Sequence, residues 1–149
     1  MRLFMIFFLV LLGTFIIDQS IKMLFVEGYY RVGECIDLVL HYNKGVAFSM
    51  FSSLGEYLKW IQGAFVLIIL YIIFSDDYLQ RYSIQAGLLI GGALGNVYDR
   101  FIHEGVVDYV AWHCGFNYAV FNFADVAIDV AVVWVLIMIY FFPEEKKSK

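Results

Sequence analysis

"GLLIGGALGNVYDRFIHEGVVDYV" runs from Gly87 to Val110, and its two halves ask for different solvents. Up to Gly95 it is apolar and carries Gly87, Gly91, Gly92 and Gly95, the small-xxx-small spacing that lets membrane helices approach closely. From Asn96 onward it gathers Asp99, Arg100, His103, Glu104 and Asp108. A charge inside hydrocarbon costs about 2.5–3.5 kcal/mol even on insertion-derived scales, so ionisable groups at the mouth of such a helix are functional candidates. The stretch reads as a membrane span that ends in a polar site.

Composition extends this reading to the whole chain. Of 149 residues, 62% are hydrophobic and the mean hydropathy is +0.77. A soluble domain is nearer roughly half apolar, so the excess points to a bilayer. The single proline, Pro143, leaves long helices unbroken. Apolar runs predict spans at about 3–22, 57–74, 82–98 and 123–142, each near the ~20 residues a span needs. The first run, Leu3–Ile17, reaches that length only if Asp18 and Lys22 continue the same helix. Arg2 gives it a signal-peptide flavour, but "TFIIDQSIK" lacks a small-residue cleavage pattern, so it is read as a span. The net charge of -4 offers no basic field for nucleic acid. Cys35 and Cys114 make no framework; they are compatible with one disulfide or with two free thiols.

The expected fold is a mainly α, polytopic membrane protein in a single domain, 1–149, with four transmembrane helices and a small extracytoplasmic β-sheet or hairpin region. An even number of spans puts both termini on one side. Arg2, Arg81, Lys146, Lys147 and Lys149 favour the cytoplasm for that side. The bias is weak, because Lys22, Arg31, Lys44, Lys59 and Arg100 fall on the other. Segments of about 23–56 and 99–122 then face outward. In the first, Ile36, Leu38, Leu40 and Tyr42 alternate with Asp37, Val39 and His41, the period of a strand. "NKG" at 43–45 and the following "VAFSMF" predict a hairpin. "VVDYVAW", a break at "HCGF", and "NYAVF" predict a second one.

Each polar residue has an ordinary explanation. Asp18 and Lys22 are spaced as a helix ion pair. Asp99 and Arg100 suit solvated interface positions. Asn122 followed by Asp125 has the spacing of an N-cap and its N3 acid, where the helix dipole favours negative charge. Asp129 lies one turn deeper on the same face. Together, however, Asp18, Asp99, Asp108 and Asp125 fall at one depth on one side, as a polar site cut into the outer leaflet requires.

Metal and serine chemistry find little support. "HEGVV" places Val107 where a zinc peptidase needs its second histidine. His41, His103 and His113 are scattered, and there is no Gly-x-Ser-x-Gly elbow. The reading calls for no metal and no cofactor. A carboxylate pair remains. Two aspartates holding one water share a proton, because like charges that close cannot both ionise. The ionised one takes a proton from water and the protonated one polarises a carbonyl, which is a route to peptide hydrolysis.

Five segments, "DQSIK" (18–22), "NKGVAF" (43–48), "GGALGNVYDR" (91–100), "VVDYV" (106–110) and "FNFAD" (121–125), resemble in order and spacing the motif series of bacterial lipoprotein signal peptidases, also called signal peptidase II. The resemblance covers nearly the whole chain. It implies an aspartic endopeptidase of the bacterial cytoplasmic (inner) membrane that cleaves prolipoproteins before their diacylglyceryl-modified cysteine, with its site near the extracytoplasmic face. By motif position it implies Asp108 and Asp125 as the catalytic dyad, and Asp18, Lys22, Asn43, Gly45, Asn96, Asp99, Arg100 and Asn122 as supporting or substrate-binding residues. It also implies a small outer sheet, a mobile lid drawn mainly from 23–56, contact with membrane lipids, and inhibition by cyclic peptides of the globomycin type. Two departures stand out. Tyr109 occupies a position where phenylalanine is common, an exchange expected to be harmless, and Asp129 has no counterpart in the family pattern.

Two rival readings use the same residues. A small proton-coupled transporter would employ intramembrane Asp18, Asp125 and Asp129 as a relay spread over several depths. A non-enzymatic tetraspan scaffold would tolerate replacement of every carboxylate.

Overall fold

The structure is a computed structural model that describes residues 1–45, 54–75, 78–103, 105–116 and 118–143. Six elements follow one another: α1 (Arg2–Val26), β1 (Ile36–Asn43), α2 (Tyr57–Ser75), α3 (Tyr78–Ile102), β2 (Val106–Trp112) and α4 (Phe123–Phe141). Helices α1, α2 and α4 are long and apolar enough to cross a membrane by length and composition. They expose side chains such as Leu9, Phe65, Leu67 and Leu136, as helices solvated by lipid would. Helix α3 is more polar. It carries Gln85, Asn96, Asp99 and Arg100, and it packs against the other three helices. Its polar side chains are tolerable because protein, not lipid, surrounds them.

The helix limits refine the sequence expectations. Helix α1 continues through Asp18 and Lys22 to Val26, as the length argument required. Helix α3 begins at Tyr78, before the expected start at 82, and bends there: Tyr82 has φ -122 and ψ 26.

Glycines set how closely α3 is approached. A Cβ on Gly91 would stand 2.6 Å from the Leu11 carbonyl oxygen and 2.8 Å from Thr14 Cβ of α1. On Gly92 it would stand 2.8 Å from the Ala124 carbonyl oxygen of α4, and on Gly95 it would collide with the Asp18 carboxylate. One face of the glycine run therefore receives α1, running parallel, and the neighbouring face receives α4, running antiparallel. At the far end of the bundle Phe7, Leu11, Ile73, Leu79, Ala86 and Ile90 form an apolar cluster. Close packing at the other end brings Asn96, Asp99 and Arg100 beside Asp18, Lys22 and the first turn of α4.

Strands β1 and β2 pair antiparallel, from Ile36 opposite Trp112 to Asn43 opposite Val106, with an irregularity between Leu38 and His41. The two outward segments, expected as separate hairpins, are joined to each other through this pairing. Along this seam they satisfy each other's backbone groups. The return limb expected at 46–51, and with it part of the implied lid, lies outside the described residues. The second segment folds back on β2 among the described residues: Val110 and Phe121 form a bridge, and the Tyr118 N–H donates to the Trp112 carbonyl at 2.9 Å. Cys35 and Cys114 form a disulfide at the outer end of the sheet, and His113 N–H donates to the Cys35 carbonyl at 2.9 Å. Beside it the Gly33 N–H and then His113 hold the Asp37 carboxyl below its ordinary range.

Candidate active site

The polar site grows from one lysine. Lys22, only 2% exposed, places its ammonium 2.8 Å from Asp18 Oδ2 and 2.6 Å from Asp99 Oδ2, and donates to Asn96 Oδ1 at 2.9 Å. The expected i, i+4 pair is therefore one arm of a three-way contact between α1 and α3. Each acid reaches onward. Asp18 Oδ1 accepts from the Ala124 N–H at 3.0 Å, at the start of α4, and Asp99 Oδ2 accepts from the Val107 N–H at 3.1 Å, at the start of β2.

The start of α4 is fixed by its own sequence. Asn122 caps the helix: its Oδ1 accepts from Asp125 N–H at 2.9 Å, while Asp125 Oδ2 accepts from Asn122 N–H at 3.1 Å. This reciprocal capping box satisfies donors that a helix N-terminus leaves free. The Phe123 N–H, another such donor, goes to the Tyr109 hydroxyl at 3.0 Å.

Two carboxylates then face a common cavity of about 480 Å³. Asp108, 1% exposed on β2, accepts from Asn122 Nδ2 at 2.7 Å and from Asn43 Nδ2 at 3.0 Å. Asp125 Oδ1 accepts from Asn96 Nδ2 at 2.8 Å. Asn122 Nδ2 also reaches Asn96 Oδ1 at 3.1 Å, so two amides form a bridge between the two acids. Burial first, and the neighbouring Asp125 second, push the Asp108 carboxyl up to about 7, against the pull of the Asn43 and Asn122 amides.

Arg100 holds the rim. Its Nε donates to Gln62 Oε1 at 2.6 Å, and its terminal nitrogens donate to the carbonyl oxygens of Asn43, at 3.5 Å, and Gly45. Gly45 N–H in turn donates to Asn43 Oδ1 at 3.0 Å. All ten residues singled out from the sequence thus meet in one network. Among the described residues no group of three or more His, Cys, Asp or Glu side chains converges on a common metal position.

Three contributors were not singled out. Gln19 donates to Asp18 Oδ2, to the Gly95 carbonyl and to Asp99 Oδ1, at 3.1, 3.3 and 3.0 Å; only its place inside "DQSIK" hinted at this. Gln62 was visible as a polar residue near the start of an apolar run. Tyr109 is the third, and its hydroxyl is more than a harmless addition. Its ring stacks on Phe25 with centroids 4.3 Å apart, and burial raises its own phenol to about 12. Tyr109→Phe would leave the Phe123 N–H buried without an acceptor, at a cost of about 1–3 kcal/mol. A lowered thermal unfolding temperature in detergent is the expected result; an unchanged one would mean the bond contributes nothing.

The family model described as signal peptidase (SPase) II matches residues 10–142. The lipoprotein signal peptidase of Sulfurovum sp. (strain NBC37-1) is 71% identical over 143 residues, covering 96% of this chain and 98% of that protein. The lipoprotein signal peptidase of Helicobacter pylori (strain Shi470) is 42% identical over 148 residues, covering 99% and 92%. Among solved structures, a bacterial membrane enzyme determined in meso at 2.3 Å superposes with a TM-score of 0.78 at 23% identity, covering 95% of this chain and 91% of that one. A second, at 1.9 Å, gives 0.74 at 22% identity over 94% and 92%. At such identities the likeness is one of fold.

Proposed function

This chain belongs to the signal peptidase II family of bacterial membrane peptidases, and on that premise we propose that it is an intramembrane aspartic endopeptidase that removes the signal peptide of diacylglyceryl-modified prolipoproteins just before the lipid-bearing cysteine. The observation that carries this reading is the arrangement of Asp108 and Asp125. They line one cavity, an Asn122–Asn96 bridge joins them, and their surroundings raise the first to about 7.

In this reading the pair carries one proton and one water between them, and it titrates as a unit. The ionised carboxylate takes a proton from the water as it attacks the scissile carbonyl. The protonated carboxyl donates to the developing oxyanion. Collapse of the tetrahedral intermediate delivers a proton to the leaving amine. Asp18, Lys22, Asn96, Asp99 and Asn122 keep both acids in register, while Arg100 holds Asn43 and Gly45 at the rim where the substrate backbone arrives. A misplacement of ~1 Å can cost ~10²-fold in rate, which is why the dyad is so heavily tethered.

Helix α3 is the fourth span, with its polar groups sheltered by α1, α2 and α4. The Cys35–Cys114 bond supports an outward-facing sheet, because disulfides persist in oxidising compartments. The termini then lie in the cytoplasm and the dyad at the extracytoplasmic edge of the bilayer. Cyclic peptides of the globomycin type would compete for the same cavity. Family membership favours this reading over a proton relay, and the four acids cluster around one lysine and one helix start instead of forming a path across the membrane.

The test is cleavage by the purified protein in lipid. A diacylglyceryl-modified prolipoprotein should yield a product that begins at the modified cysteine, identified by mass. A raised carboxyl keeps its proton below its pKa and loses it above. Activity should therefore persist up to about pH 7 and fall towards tenfold per further pH unit as the shared proton leaves. Equal cleavage of the unlipidated precursor, or a profile that stays flat well above neutrality, would overturn the proposal.

A further inference from the structure

Asp129 lies one turn beyond Asp125 on α4, yet its setting differs from that of every acid in the network. Asp18, Asp99, Asp108 and Asp125 all accept hydrogen bonds. Asp129 is exposed, and no hydrogen bond or ion pair engages it among the described residues. It stands at a junction. It lines the cavity that holds the dyad, and it also heads a groove of about 380 Å³ that continues along α4 between Val130, Val133, Trp134 and Ile137. An unpaired carboxylate on the lipid side of a spanning helix is costly, and such residues are functional candidates by default.

The groove adjoins the catalytic cavity at Asp129, which lines both, so under the peptidase reading, on which this inference rests, its occupant is an acyl chain of the substrate's anchor. That creates a selectivity problem. The anchor is a glycerol with two acyl chains joined to sulfur and carries no charge. The surrounding phospholipids present the same glycerol and chains in vast excess, with a phosphate in place of the thioether. Apolar walls discriminate poorly between such ligands. Selectivity must then come from an element that penalises the wrong one.

We propose that Asp129 is a charge filter: its carboxylate, at the point where groove meets cavity, repels anionic phospholipids and leaves the groove open to the uncharged diacylglyceryl thioether. The cations nearby do not cancel it. Lys22 is buried against Asp18 and Asp99, and Arg100, held in place by Gln62 and the carbonyls of Asn43 and Gly45, directs its charge at Asp108, Asp99 and Asp125. With one proton shared by Asp108 and Asp125, the single charge of the dyad is matched by Arg100, and the charge left over on the cavity wall is that of Asp129. Discrimination against an anion is thus built from a side chain that the chemistry itself does not require.

The test compares wild type, Asp129→Asn and Asp129→Glu in vesicles of phosphatidylcholine alone and of phosphatidylcholine mixed equally with phosphatidylglycerol. The quantity read is the ratio of KM for a lipidated prolipoprotein in the two membranes. Taking that ratio within each variant removes any general effect of surface charge on the substrate. Asp129→Asn should raise the ratio about fivefold or more over wild type, the scale of one close like-charge contact at partial exposure. Asp129→Glu should restore it. Equal ratios in all three proteins, or a Glu variant that behaves like Asn, would overturn the filter while leaving the peptidase intact. Absence of cleavage by wild type in either membrane would instead remove the peptidase reading itself.

Discussion

Asp108→Asn and Asp125→Asn should each abolish detectable cleavage of a diacylglyceryl-modified prolipoprotein. Both substitutions keep the side chain's size and remove its ability to exchange a proton at neutral pH. General acid–base groups contribute about 10²–10⁴-fold each, and a pair that works as a unit loses nearly everything when either member is lost. A fall of at least ~10³-fold in kcat/KM is therefore expected from either change. The effect should be chemical and not a failure to fold. At position 108 an amide still meets Asn43 and Asn122, although one of its two heads now presents a donor to a donor. At position 125 the capping oxygen can be retained towards Asn122 N–H. Product read on a gel, beside a thermal melt of each variant, separates the two causes. Near-wild-type turnover in a folded Asp108→Asn or Asp125→Asn protein would defeat the aspartic mechanism.

Lys22→Met should have the second largest effect, and on folding first. The ammonium is the common partner of two buried acids, so its removal leaves Asp18 and Asp99 facing one another without compensation. Breaking a buried pair from one side costs about 3–5 kcal/mol, a large part of any protein's net stability. The damage would spread along named bonds. Asp18 holds Ala124 N–H and Asp99 holds Val107 N–H, so the segments carrying Asp125 and Asp108 would both drift. A sharply lowered melting temperature and little cleavage are expected. Combining Lys22→Met with Asp99→Asn should recover part of the melting temperature, because one unpaired charge is then gone. A single variant that melts like wild type would show that the lysine is not the keystone its contacts imply.

Much of this was legible because it is local. Apolar runs marked all four helices, although the polar load of α3 hid how far it extends. The Asp18–Lys22 pair and the Asn122–Asp125 capping box are spacings of four and three, and both formed as read. The glycine run announced close packing, and Gly91 and Gly92 receive two different helices. What resisted reading is non-local. An alternating strand does not name its partner, so nothing in the residues of β1 announced its pairing with β2. Cys35 and Cys114 lie 79 residues apart, and nothing in either neighbourhood indicated the other. Gln19, Gln62 and Tyr109 each contribute a single amide or hydroxyl to the network. Such groups leave no periodic trace, and only the folded arrangement shows what they face.

The cysteine cross-link carries a consequence for biogenesis. Under the proposed orientation Cys35 is exported soon after the first helix is laid into the bilayer, whereas Cys114 cannot follow until α3 has been threaded. The bond is thus a covalent timestamp: an oxidised chain has completed translocation of both loops, and a chain stalled or inverted at any earlier step keeps its thiols.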